Sequence, residues 1–378
     1  MWQRLHDAWW RLATQHHPQS FSDLLAVSVL HTGSLAYRGA AALRNRAYDE
    51  GWVRQVQLPC RVVSVGNLTV GGTGKTAFTE LVGAKLLARG QRLAVLSRGY
   101  GGAVPQYWLQ WENGCLLVNG EPSGPDGLAD EPQMLAEHLS GMPVVVGPRR
   151  ERTGMFACRT FHPDLVILDD GFQHRRLKRD CEIVLVSARM PLGGWRALPR
   201  GPMREPLSAL SRAHLIVVTK ADEALDMVGA MTERLRTFSP DADIVTAAHV
   251  PTELVDMRSG ERYPPSELAG RQVGLVSSIG DPQGFESTVG RLQAKILWHR
   301  AFPDHYRYRA EEWSAVLDHV SRTAPDGIVT TEKDWVRLRR WTIDDRRWTV
   351  PLWVLRVQMK MLEGEDVLDA RLARVCAR

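Results

Sequence analysis

The sequence predicts an α/β protein built on a doubly wound sheet, and three observations carry that expectation. A Gly-rich run, Val65-Gly66-Asn67-Leu68-Thr69-Val70-Gly71-Gly72-Thr73-Gly74-Lys75-Thr76, lies between an apolar strand and a helically spaced pattern. Strand-like and helix-like segments then alternate through the middle of the chain. A further apolar strand, Leu165-Val166-Ile167-Leu168, closes on paired carboxylates at Asp169 and Asp170.

The chain of 378 residues has room for two domains at roughly 100–200 residues each. We expect residues 1–50 to form amphipathic docking helices, 51–225 a P-loop domain, and 226–378 a smaller α/β lid domain with its linker. Before the first strand, Trp2, Trp9 and Trp10 combine with Phe21, Leu24, Leu25, Val27, Val29, Leu30 and Leu35, and then with Arg38, Arg44 and Arg46. That mixture suits a helix lying in a bilayer interface, or equally one packed on the domain. The stretch Leu24 to Leu43 is broken by His31, Thr32, Tyr37 and Arg38, so it predicts neither a cleavable signal nor a membrane span.

Cys60 to Val65 reads as the strand feeding the Gly-rich loop, and Phe78, Leu81, Val82, Leu86 and Leu87 mark the helix after it. Between them, glycines 71, 72 and 74 let backbone N–H groups turn inward at phosphate oxygens, and the helix start adds its positive end. Lys75 supplies a point charge and Thr76 a hydroxyl for magnesium, while Thr69 and Thr73 complete the cradle. Thr69 stands where the P-loop pattern wants glycine, so Gly66 and Gly71 are expected to supply the missing freedom. The loop predicts a nucleotide triphosphatase or kinase, a P-loop NTPase-type fold.

Arg92–Ser97 is the next strand, then an expected hairpin over Tyr107–Val118 covering the site, a helix through Met134, Leu135, His138 and Leu139, and a strand at Pro143–Val146. Strands at Ile183–Val186 and Leu215–Val218 follow the one ending at Asp169, where an acid reaches magnesium in such folds. The second unit reads as strands near Val273–Ser277, Lys295–Trp298, Gly327–Thr330 and Leu352–Val357, with Pro251–Pro265 as a linking hairpin. Asp130 and Glu131 are candidates for the base that phosphoryl transfer needs, although Asp130 before Pro132 equally suits a helix N-cap. His305, among aromatics and acids in Phe302–Tyr308, is a candidate to orient a carboxylate.

The net charge of +5, carried mostly by arginine, suits an acidic ligand or an anionic membrane surface, and no nucleic-acid motif accompanies it. Cysteines at 60, 115, 158, 181 and 376 have no metal-ligand spacing and read as reduced thiols.

Seven short motifs together resemble the tetraacyldisaccharide 4′-kinase (lipid A 4′-kinase) family: Thr69–Thr76, Leu96–Gly101, Asp130–Pro132, Leu168–His174, Gly201–Pro206, Phe302–His305 and Thr331–Asp334. The resemblance implies transfer of the γ-phosphoryl group of ATP, with Mg2+, to the 4′-hydroxyl of a tetraacyldisaccharide 1-phosphate at the cytoplasmic face of the bacterial inner membrane. It implies Asp130 as base paired with His305, Lys75 and Thr76 on ATP and magnesium, and Asp169 and Asp170 on the metal. Tyr100, Arg204 and Glu205 match substrate-site motifs, and no protein partner is implied. Val276–Phe285 departs from the more apolar run usual there. Two rivals remain at this point. Thr219-Lys220-Ala221-Asp222 imitates a guanine-reading motif without its Asn, and Gly71–Thr76 imitates the loop of membrane-cycling ATPases without its signature lysine.

Overall fold

The computed structural model describes residues 21–100, 102–122, 127–189, 196–342 and 350–377. The expected docking residues Trp2, Trp9 and Trp10 lie outside the described residues.

In chain order, α1 (Phe21–Asp49) leads to β1 (Arg61–Asn67), the Gly-rich loop, α2 (Lys75–Leu87) and β2 (Leu93–Ser97). Next come β3 (Tyr107–Glu112), β4 (Cys115–Val118), β5 (Glu121–Pro122), α3 (Asp130–His138), β6 (Val144–Val146), α4 (Arg150–Phe161), β7 (Leu165–Asp169), β8 (Cys181–Ser187) and β9 (Leu215–Thr219). The remainder is α5 (Leu225–Arg236), β10 (Asp243–Asp256), β11 (Arg262–Tyr263), β12 (Gln272–Ser277), α6 (Pro282–Arg291), β13 (Lys295–Ala301), α7 (Ala310–Thr323), β14 (Gly327–Thr331), α8 (Glu332–Thr342), β15 (Leu352–Glu363) and α9 (Glu365–Cys376).

All these strands join one sheet, ordered β13-β12-β14-β15-β10-β9-β8-β1-β7-β2-β6-β3-β4-β5, with β11 beside β10. It contains two parallel blocks of opposite direction. From β10 to β6 the strands run parallel, as do β13, β12, β14 and β15, and the blocks meet at the antiparallel β10–β15 pair. Register then fixes the cleft. Thr219 at the end of β9 lies beside Ala247, while Thr331 at the end of β14 lies beside Leu355, itself opposite Leu254. The carboxyl ends of both blocks therefore face each other across the Ala247–Leu254 stretch of β10, about 24 Å at ~3.4 Å per residue. Ligands of open α/β sheets gather at such ends, so here two sets of loops share one cleft.

Burial explains why these segments are strands: β1, β2, β7 and β9 have almost no exposed residue, as parallel strands covered on both faces require. Phe78, Val82 and Leu86 of α2 pack with Val63, Val95 and Ile167 on one face, each wholly buried and worth about 1.5–3 kcal/mol. Leu58 and Ala157 pack on the other face with Val62, Ala94 and Leu168. Two details differ from the sequence reading. Met231 and Leu235 of α5 bury against Val184 and Ile216, so the first block's core extends beyond residue 225. Met359, Met361, Leu368 and Leu372 of β15 and α9 return to the core of Phe78, and Lys85 pairs with Glu365 at 2.6 Å. The Tyr107–Val118 hairpin extends the sheet edge through the β3–β6 pair, and Pro251 lies inside the long β10, whose end folds back onto β11.

α1 is joined to the body by polar contacts. The Ser34 Oγ donates to the Ala197 carbonyl at 2.7 Å and the Tyr37 hydroxyl to the Arg204 carbonyl at 2.9 Å. Leu24, Leu25, Val29, Leu35 and Leu43 stay exposed, and among the described residues no helix is long and apolar enough to cross a membrane.

Gly74 is required twice over. Its φ is +83°, and a Cβ there would collide with the His249 ring and stand 2.8 Å from the Met359 methyl. Gly66 serves a different purpose from the one expected, since it sits in extended β1 and its missing Cβ makes room for Phe172, 2.6 Å from where it would be. Gly71, at φ +105°, supplies the loop's turn instead. Gly74→Ala should therefore destabilise the fold by on the order of 2 kcal/mol. Gly72→Ala, with open space and no positive φ, should leave the urea midpoint unchanged.

Candidate functional site

The Gly-rich loop is held from both sides by backbone and side-chain bonds. Asn67 Nδ2 donates to Thr73 Oγ1 at 2.7 Å, and the Thr219 hydroxyl donates to the Thr73 carbonyl at 3.1 Å. Thr69 bridges to Met203, and the Val70 N–H donates to the Pro202 carbonyl at 2.8 Å, so the Gly201–Pro206 segment walls one flank. The other flank is the loop after β12, where a Cβ on Gly280 would lie 3.2 Å from the Gly72 nitrogen. His249 packs on Gly74 as a neutral ring, because burial and then Lys220 push its pKa down to about 4. Lys75 and Thr76 open α2, directly after Gly74.

The two carboxylates at the end of β7 are treated oppositely. Asp169 is 2 % exposed, and its oxygens accept from Thr79 Oγ1 at 3.2 Å and Ser97 Oγ at 3.4 Å. Burial first, then the neighbouring Glu131 and Asp170, raise its carboxyl to about 7 despite Lys75. Asp170 has a left-handed backbone, φ +49°. Burial would raise its carboxyl too, but Lys75, Arg204 and Arg150 hold it well below the usual range. Arg204 grips it with both amino groups, at 2.8 and 2.9 Å, and Lys75 Nζ stands 3.7 Å away.

A magnesium ion suits Asp169. The carboxyl is crowded by negative neighbours and directly bonded only to hydroxyls, and Thr79, its partner, lies one helical turn beyond Thr76. Asp170 fits less well as a ligand, since its oxygens are engaged by Arg204. Among the described residues no three His, Cys, Asp or Glu side chains gather into a metal cage.

In the same strand block, Asp130 is the first residue of α3 and makes no N-capping bond. Its carboxylate, 6 % exposed, instead meets Arg337 of α8 through an ion pair and His305 Nδ1 at 3.4 Å. Burial opposes its charge, yet His305, Arg337 and Lys333 outweigh that and hold the carboxyl well below its ordinary value. His305 has φ +58°, and its ring meets the exposed Tyr100 edge-on at 5.0 Å. The structure thus gathers Lys75, Asp169, Asp170 and Arg204 at the end of β7, and joins Asp130 and Tyr100 of the same strand block to His305 and Arg337 of the second.

Glu205 departs from its expected place beside substrate. It is wholly buried and accepts from Arg44 at 2.8 Å, Asn45 at 3.0 Å and Arg212 at 2.9 Å, so it clamps α1 to the segment carrying Arg204. Sequence reasoning also left Arg150, Lys333 and Arg337 without roles. Arg150 is 4 % exposed and donates to the Asp169 carbonyl at 3.4 Å; as one of several arginines after β6 it gave no distinguishing signal.

Comparison with known proteins decides the family. The model for tetraacyldisaccharide-1-P 4′-kinase matches residues 26–377. The chain belongs to this family. A protein of Anaeromyxobacter dehalogenans named tetraacyldisaccharide 4′-kinase is 40% identical over 375 residues, 98% of this chain and 94% of that one. A protein of the same name from Syntrophus aciditrophicus is 38% identical over 82% of this chain and 84% of its own. The crystal structure of the Aquifex aeolicus family member LpxK, described as an "apo" form in complex with ATP, superposes with a TM-score of 0.70 at 29% identity, covering 93% of this chain and 99% of that one. As a member of this kinase family the chain has the P-loop NTPase-like α/β fold that its sequence predicted.

Within this kinase fold His138 bridges three helices. Its Nδ1 lies 2.9 Å from Glu80 on α2 and its Nε2 3.0 Å from Glu332 on α8. Burial opposes protonation, but Glu332 and Glu80 prevail and raise its pKa to about 10. The folded state then binds the proton more tightly than the unfolded one, so this contribution is complete below pH ~6.5 and disappears as pH rises toward 10. Urea titrations should find wild type losing stability relative to His138→Gln between pH 6.5 and 10.

Proposed function

We propose that the chain transfers the γ-phosphoryl group of ATP to the 4′-hydroxyl of a tetraacylated glucosamine disaccharide 1-phosphate, the reaction its family is named for. The observation that carries this reading is the pairing of buried Asp130 with His305 beside the phosphate loop, where a Cβ on Gly280 would lie 3.2 Å from both Asp304 and the Gly72 nitrogen, in a chain of that family. ATP as donor is supported by the ATP complex of the Aquifex aeolicus relative. A GTPase switch or a membrane-cycling ATPase is not favoured, because the family match spans both strand blocks.

In this reading the loop N–H groups and Lys75 hold the terminal phosphates, and α2 adds the positive end of its dipole. Thr76 and Asp169 would hold Mg2+, which when bound offsets the charge of the phosphate oxygens. Arg204, fixed between Asp170 and Asn67, directs cationic charge at the same wall. Asp130 orients the sugar hydroxyl and collects its proton, with His305 steadying the carboxylate through Oδ1. Tyr100, exposed against His305, is placed to line the sugar's entry. We read the second strand block, with its α6–α8 helices, as a lid that completes the site from the opposite side.

Withdrawing acyl chains from a bilayer costs ~0.8 kcal/mol per CH₂, so the enzyme gains by working at the membrane surface. The exposed Leu24, Leu25 and Val29 on α1, with Arg38 and Arg46 beyond them, support docking to an anionic surface, which we assign to the cytoplasmic face of the inner membrane.

Incubation with ATP and the disaccharide 1-phosphate should add one phosphate to the distal sugar by mass analysis. Asp130→Asn should cut turnover at least about 100-fold with ATP binding intact, and near-normal turnover would remove Asp130 from the base role. Changing Leu24, Leu25 and Val29 together to Ser should release the protein from vesicles containing anionic lipid. Unchanged sedimentation would reject the dock.

A further inference from the structure

Two cations of α8 converge on the Asp130–His305 pair and contact no phosphate-loop residue among the described bonds. Lys333 has three ammonium hydrogens and three acceptors in reach: Glu131 Oε1 at 3.1 Å, Asp304 Oδ1 at 3.3 Å and His305 Nε2 at 3.3 Å. An ammonium can only donate, so in this contact His305 Nε2 accepts and the ring's hydrogen sits on Nδ1, 3.4 Å from Asp130 Oδ1. Arg337 Nη2, also a donor, stands 3.4 Å from the same Nδ1, but its shorter contact is the ion pair with Asp130 Oδ2.

Arg337 works on the other carboxylate oxygen. Its Nη2 pairs with Asp130 Oδ2, while its Nη1 donates to the Ser278 carbonyl at 3.0 Å and to Ser278 Oγ at 2.5 Å. Ser278 is locked in turn: its N–H and hydroxyl both donate to Asp334, at 2.9 and 2.5 Å. Asp334 is fully buried and also accepts from the Tyr308 hydroxyl at 2.9 Å and the Thr331 hydroxyl at 2.7 Å. The guanidinium is therefore one end of a rigid chain of hydrogen bonds running from the base into the core of the second strand block.

We propose that Lys333 and Arg337 are positioning residues for the base: Arg337 fixes the Asp130 carboxylate through Oδ2, and Lys333 sets the His305 tautomer that fixes Oδ1. This rests on Asp130 being the base. A loose phosphoryl-transfer transition state asks little basicity of that group and much orientation of the acceptor oxygen. A carboxylate held at both oxygens meets that demand, even though the cations make it a weaker base.

The test compares full-length Arg337→Gln, Arg337→Lys, Arg337→Ala, Lys333→Met and Asp130→Asn, using ATP and the disaccharide 1-phosphate in detergent micelles. Arg337→Gln and Lys333→Met should each lower kcat by about ten-fold or more with KM for ATP unchanged. Arg337→Lys should recover part of the loss, and millimolar guanidinium ion should restore turnover to Arg337→Ala, which a variant that merely fails to fold would not show. Wild-type kcat in Arg337→Gln and Lys333→Met beside an inactive Asp130→Asn overturns this inference alone, as does a loss confined to KM for ATP. A fully active Asp130→Asn overturns the base reading beneath it.

Discussion

Keeping two buried carboxylates, Asp130 and Asp169, and the half-buried Asp170 charged or usable is the constraint around which the molecule is arranged. An isolated ionised group out of water is too costly to persist, so each must either find cations or take up a proton. The fold gives each a different solution. Asp130 is paired from α8, Asp170 is gripped by Arg204, and Asp169 is left with hydroxyl partners and a carboxyl raised to about 7. That asymmetry distinguishes the three groups chemically: one is paired from the second block, one is gripped by Arg204 and one is bonded to hydroxyls.

The sheet makes these solutions possible. Because the two parallel blocks run in opposite directions and meet at β10 and β15, their carboxyl ends share a cleft, and charges from one block can neutralise charges from the other. The α3–α8 contact is a ladder of such exchanges: Asp130 with Arg337, Glu131 with Lys333, Gln133 with Arg339 at 2.8 Å, and His138 with Glu332. The same logic ties α1 to the site, since Glu205 clamps it beside Arg204. The helix proposed to dock on the membrane is thereby joined to Arg204 through the residue next to it.

Local features were legible in the sequence; partnerships across long separations were not. The loop from Gly71 to Thr76 and the Leu165–Asp169 strand announce themselves because their chemistry is set by neighbours in sequence. Asp130 and His305 were candidates whose own surroundings fit a helix cap or a loop equally well, and the family resemblance supplied their roles. Lys333, within the Thr331–Asp334 motif, and Arg337 were given no role, since nothing in that helix reveals acceptors some 200 positions earlier. Glu205 was placed with the substrate by the family motif it matches, while its three partners face it from α1 and Arg212. The second block was read as a unit of its own because Pro251–Pro265 suggested a linking hairpin, whereas β10 runs through Pro251 and pairs with strands of both blocks.

The most direct measurement of the central claim is a crystal structure of the protein with a non-hydrolysable ATP analogue and the disaccharide 1-phosphate. The account predicts the 4′-hydroxyl within hydrogen-bond distance of the Asp130 carboxylate, in line with a terminal phosphate held at Lys75. A sugar hydroxyl bound away from Asp130, or a terminal phosphate on the far side of the cleft from it, would contradict the account.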